Sequence, residues 1–85
     1  MYAIAILDSG NYALRLSSIL EKKGYVFEVV PTPCQIAKGG CGYCLRFPLE
    51  YMDIVLEEAR LNNIVIREIY KVEPQLMKNK YVKIY

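Results

Sequence analysis

The stretch between Pro31 and Phe47 divides this 85-residue chain in two and leaves each flank to build its own strand and helix. It contains Pro31, Pro33, Gly39, Gly40, Gly42 and all three cysteines of the chain, Cys34, Cys41 and Cys44. Proline cannot serve the ladder of a central strand, and glycine weakens any regular element. The chain has no histidine. Unusual backbone geometry and thiol chemistry are therefore both concentrated in the middle.

On the N-terminal flank, Tyr2 to Leu7 is a continuous apolar run that reads as a buried strand. Asp8-Ser9-Gly10-Asn11 supplies N-cap candidates for a helix from about Tyr12 to Lys23. Tyr12, Ala13, Leu16, Ile19 and Leu20 share one face of it. Lys22 and Lys23 suit the negative end of its dipole, and Gly24 suits the left-handed residue that stops it. Tyr25 to Val30 reads as a second strand, ended by Pro31 and Pro33.

On the C-terminal flank, Gly42 to Phe47 reads as a third strand. Tyr43, Leu45 and Phe47 are expected to face the core, with Gly42, Cys44 and Arg46 opposite. Pro48 fits the first turn of a second helix over Leu49 to Leu61, whose stripe is Leu49, Met52, Val55, Leu56 and Ala59. Ile64 to Val72 reads as a fourth strand, and Tyr81 to Tyr85 as an edge strand or a loose arm. The order βαββαβ with right-handed crossovers predicts an α+β, two-layer ferredoxin-like sandwich. That fold has a four-stranded antiparallel sheet with two helices on one face. Residues 1–73 would form the domain, and residues 74–85 a basic C-terminal tail or an extra edge strand.

Length allows one domain that buries roughly 60–65% of its unfolded surface. An apolar share of 54% argues against disorder. The net charge of +2 gives no reason to expect nucleic acid. No apolar run approaches the ~20 residues of a membrane span. The start of the chain lacks the basic region of a secretory signal, so a cytoplasmic location with reduced thiols is expected.

Thr32-Pro33-Cys34-Gln35 has the form of a capping box, with Thr32 as N-cap and Cys34 in the first turn of a short helical segment. The structural alternative is that Cys34 plugs a small apolar gap. Cys41 lies between Gly40 and Gly42, where the backbone leaves room for an approaching group, and Lys38 is close enough in sequence to stabilise a thiolate. Cys41 and Cys44 spell CxxC, but an extended run from 42 to 44 puts their Cα atoms about 10 Å apart, and a disulfide needs less than ~7 Å. Cys34 is the better companion for Cys41. Cys44 reads as a small strand residue on the face away from the helices. There it would lie among Ala3, Ala5 and tyrosines on a sheet face that a dimer could cover. Arg46, on the same face, either holds an anion or pairs with a carboxylate. A structural zinc site takes four Cys or His ligands, so three cysteines would need a fourth ligand from Asp8, water or a second subunit.

The run Pro31-Thr-Pro33, Ile36, Cys41-Gly42 and Leu45-Arg46-Phe47 resembles the signature of a family of small Se/S carrier-like domains. The likeness runs from the first strand to about Val72. It implies a carrier that accepts sulfur or selenium on the cysteine before glycine, Cys41, as a persulfide or selenosulfide, and passes it to a partner. The family usually has a basic residue at the position of Cys34 and a small one at that of Cys44. The added thiol makes Cys34 a candidate to resolve the adduct on Cys41, with Lys38, Gly40, Gly42 and Arg46 as surrounding binding residues. The donor would be a protein such as a cysteine desulfurase, with an unknown acceptor and no bound cofactor. Two other readings stay open. One is a non-catalytic binding or regulatory module that dimerises and carries incidental cysteines. The other is a thiolate metal site completed across a homodimer.

Overall fold

The computed structural model describes residues 1–37 and 42–85. In chain order the elements are β1 (Tyr2–Leu7), α1 (Gly10–Lys22), β2 (Glu28–Pro31), β3 (Tyr43–Pro48), a 3-10 turn (Leu49–Tyr51), α2 (Met52–Leu61), β4 (Ile66–Pro74) and β5 (Asn79–Lys83). The strands form one sheet in the order β2-β3-β1-β4-β5, with every neighbouring pair antiparallel. The expected α+β class holds. The expected four-stranded sheet does not, because β4 runs on to Pro74 and folds back, so that Tyr81 pairs with Val72 and Asn79 with Pro74. Pro74 is tolerated because it is the last residue of its strand.

The helix-covered face carries the main core. Ala3, Ala5 and Leu7 of β1 and Leu45 and Phe47 of β3 pack against Leu16 and Leu20 of α1 and Val55 and Ala59 of α2. Both helices therefore lie on the same face. Ala3 and Ala5 point to them and not to the open face beside Cys44. The uniformly apolar run of β1 conceals this alternation. Tyr43 stands at the rim of the covered face and is exposed.

Helix α1 begins at Gly10, two residues earlier than its periodicity suggests, with Ser9 as the extended N-cap. Gly24 stops it with φ of +92°, where a side chain would be strained. Strand β2 starts only at Glu28, because Tyr25 and Phe27 leave the ladder to join a ring cluster with Tyr51, at centroid distances of 5.7 to 6.1 Å. Pro48 caps the 3-10 turn from outside rather than opening the helix. Asn63, with φ of 55°, ends the connection after α2, a conformation that asparagine tolerates. Lys23 reaches the buried Glu58 at 2.9 Å and ties the end of α1 to α2.

The opposite face has a second, smaller core of Ile4, Ile36, Cys44 and Tyr70, flanked by Ile6, Val30, Val72 and Tyr81. Ile36 comes from the β2–β3 connection, so that connection folds over the sheet and covers part of the helix-free face.

Candidate functional site

The β2–β3 connection is closed at its base. The Thr32 amide donates to the Gly42 carbonyl at 2.8 Å, one step beyond the last β2–β3 pair, Pro31 with Tyr43. A single turn follows over Cys34 to Ile36. The amides of Ile36 and Ala37 both donate to the Pro33 carbonyl, at 3.1 and 3.0 Å. The turn thus starts one residue later than the capping-box pattern suggests and does not continue into a helix. The Thr32 side chain turns instead to the Cys44 thiol. The described turn is not a helix, so the place of Cys34 in the site rests on its exposure.

The thiols are sorted by burial. Cys34 is free and exposed, whereas Cys44 is free and fully buried. Burial among Ile4, Ile36 and Tyr70 pushes the Cys44 thiol pKa up, and the hydrogen bond with Thr32 opposes that only in part. Cys44 is thus a packing residue at neutral pH, on the face away from the helices as its strand position implies. Lys38, Gly40 and Cys41 lie outside the described residues. Gly42 is exposed, and among the described residues no atom beyond its chain neighbours lies within 4 Å of the place a Cβ would occupy there.

Arg46 is engaged elsewhere. Its guanidinium stacks 3.9 Å above the Tyr2 ring and sits 3.6 Å from the Glu28 carboxylate. Four residues of strand separate it from Gly42, about 13 Å at strand rise. Its contacts are those of a half-exposed arginine paired with a carboxylate, at the far end of β3 from the loop.

Two contacts near the end of β1, Asp8 with Arg67 and Gly10 with Tyr43, could not be paired from the sequence. The antiparallel register, Ala5 opposite Leu45, places the end of β1 beside the start of β3. There the Arg67 guanidinium donates to both Asp8 carboxylate oxygens, at 2.6 and 3.2 Å. This bond holds the Asp8 pKa below the usual carboxylate range and keeps Arg67 charged. Gly10 lies against Tyr43, whose ring and Cβ come within 3.4 Å of where a Gly10 Cβ would stand. The first pair is 59 residues apart in sequence and only the β1–β4 register could reveal it. Among the described residues no group of three or more Cys, Asp and Glu side chains is arranged to hold a metal ion.

The fold and the loop together define a small α+β domain that presents an exposed thiol on a turn closed at its base. The chain belongs to the family described as "Putative Se/S carrier protein-like", which it matches over residues 2–71. That span ends inside β4 and leaves β5 outside it. Neither the curated proteins nor the solved structures compared with the chain offered a match. No helix among the described residues is long and apolar enough to cross a membrane.

Proposed function

We propose that this domain carries sulfur or selenium as a persulfide or selenosulfide on Cys41 and delivers it to a partner protein. The observation that carries the reading is the Thr32–Gly42 hydrogen bond. It joins the two ends of the connection, so that the exposed Cys34 and the residue preceding Gly42 belong to one short closed loop. Family membership supports the same reading.

The chemistry balances without a cofactor. The Cys41 thiolate attacks the outer sulfur or selenium of a donor persulfide or selenosulfide, the donor S–S or S–Se bond breaks, and the donor leaves as a thiolate. Cys34 then attacks the Cys41 sulfur as a thiolate. A Cys34–Cys41 disulfide forms, and the outer atom leaves as hydrosulfide or hydroselenide to the bound partner protein. An external dithiol reduces the disulfide and resets the carrier. Glycines beside Cys41 suit this, because entering and leaving groups must approach the sulfur in line. Cys44 has no part in it, being buried and held as the thiol. The donor class is a cysteine desulfurase.

The test is intact mass after incubation with a cysteine desulfurase and free cysteine in the absence of reductant. A sulfur adduct, or the Cys34–Cys41 disulfide left by its resolution, is expected on wild type and on Cys44→Ala, and neither on Cys41→Ala. On Cys34→Ala the adduct should accumulate, since its resolving thiol is gone. An unmodified wild type, or a Cys41→Ala variant that is still loaded, sinks the proposal.

A further inference from the structure

The β4–β5 hairpin turns at Gln75-Leu-Met-Lys78, beyond the end of the family match. The Gln75 amide donates to the Lys78 carbonyl at 3.1 Å, so Leu76 and Met77 form the tip. They are 99% and 91% exposed. Tight turns ordinarily take Gly, Asn, Asp, Pro or Ser, each for its own backbone preference. Leu and Met offer the turn nothing of the kind, and at this exposure they add nothing to the core. The tip is an apolar knob that its own chain does not seat.

The same chain has an apolar hole. On the helix-free face, next to the part that Ile36 covers, lies a groove of about 310 Å³. Ile4, Val30, Val72 and Tyr81 line it, and the paired Pro74 and Asn79 close the end nearest the tip. The tip continues the line of the strands past that end and does not enter the groove. Arg46 in the wall is already matched by Glu28 at 3.6 Å, so the groove asks for an apolar occupant and not for a charged one. Its volume is at the low end of the ~300–1,000 Å³ of ligand clefts, room for one or two side chains. We propose that the chain forms a two-fold dimer in which Leu76 and Met77 of each copy fill the groove of the other. An axis lying across the strands, between tip and groove, lays the two helix-free faces over each other at that end and brings each tip to the other copy's groove. Such a contact is isologous and closes at two copies, with both knobs and both grooves used. A second copy is the fitting occupant because it brings the complement the groove needs, an apolar tip of side-chain size. A flat bilayer cannot enter such a cleft. The dimer uses none of the cysteines and is independent of the carrier reading.

Sedimentation velocity over a concentration series tests it. The mass should rise from one chain to two and stop there, and the dimer should persist in high salt, because neither contact is ionic. Leu76→Ser with Met77→Ser should weaken dimerisation by about tenfold or more. Val72→Arg, in the groove, should weaken it similarly. Mixed together, these two variants should associate with each other better than either does with itself, since one intact tip then meets one intact groove. The tip side chains are exposed, so at concentrations where the parent is monomeric the double variant should keep its melting temperature. A mixture of isotope-labelled and unlabelled parent chains gives a readout that needs no variant. Nuclear Overhauser contacts between chains should join the Met77 methyl to Val72 and Tyr81. The proposal fails if the parent stays monomeric throughout, whether or not it binds phosphatidylglycerol vesicles. It fails if the Leu76→Ser, Met77→Ser variant dimerises as the parent does, or if association runs on past two copies. Contacts between chains that join two β5 edges, and not tip and groove, overturn it as well.

Discussion

The two faces of the sheet are built from the same strands and do different work. The covered face buries Phe47, Leu45, Leu16, Leu20, Ile69 and Val55 completely under two helices. The helix-free face buries Ile4, Cys44 and Tyr70 under one side chain from a loop, Ile36. Stability therefore resides mainly on one side, and on the other the described part of the β2–β3 connection contributes one buried side chain, Ile36. This division leaves the thiol-bearing loop to be shaped by function, because little of the fold depends on it. It also explains why one cysteine is exposed and another buried in the same short segment.

The sharpest way to break the comparison is to remove one anchor from each face. Phe47→Ala deletes a fully buried ring that also stacks on Phe27 at 6.1 Å. It should cost about 3–5 kcal/mol, much of what a chain of this size has. Urea unfolding by circular dichroism measures it. A loss below about 2 kcal/mol would mean that the covered face is not the main store of stability.

Ile36→Ala should cost less, about 1–3 kcal/mol, because the side chain sits on a turn that can relax toward the sheet. Its distinctive effect is local. With Cys34 and Cys41 replaced by alanine, the remaining thiol is Cys44, and its reaction with a maleimide reports opening of the loop. The substitution should speed this reaction far more than the change in global stability accounts for. If labelling follows global unfolding alone, the plug and the main core are one cooperative unit and the contrast between faces collapses.

How much of this was legible depended on whether a feature was local. Ala13, Leu16, Ile19 and Leu20 of the α1 stripe, the inward Leu45 and Phe47 and the outward Cys44 follow from periods of 3.6 and 2, and the structure has them, whereas Tyr12, placed on the same stripe, is exposed. The burial of Cys44 was not legible, since its lid, Ile36, comes from a loop whose folding over the sheet has no periodicity. The late start of β2 was hidden because Tyr25 and Phe27 alternate as a strand would, yet find better partners in each other and Tyr51. β5 was read only as a choice between strand and arm, because Pro74 resembles a stop until its terminal place in β4 is seen. Asp8 with Arg67 needed the β1–β4 register. Lys38, Gly40 and Cys41 were named from the sequence alone and lie outside the described residues.

The smallest effect concerns the charge state of the one cysteine the second core encloses. In the folded chain the Cys44 pKa is raised, while in the unfolded chain it returns to about 9. At higher pH the unfolded state loses a proton that the folded state keeps, so stability falls as pH rises. The contribution is whole below about pH 9 and is lost above it, as pH climbs toward the raised folded value. Every other group is common to wild type and Cys44→Ala, so the comparison isolates this thiol. The difference between the two in urea unfolding should thus be flat from pH 6 to 8. Above pH 9 it should change in favour of the alanine variant, whatever fixed cost the lost sulfur imposes. Parallel curves across the whole range would mean that the thiol ionises as easily under Ile36 as in water, and that the second core does not exclude solvent.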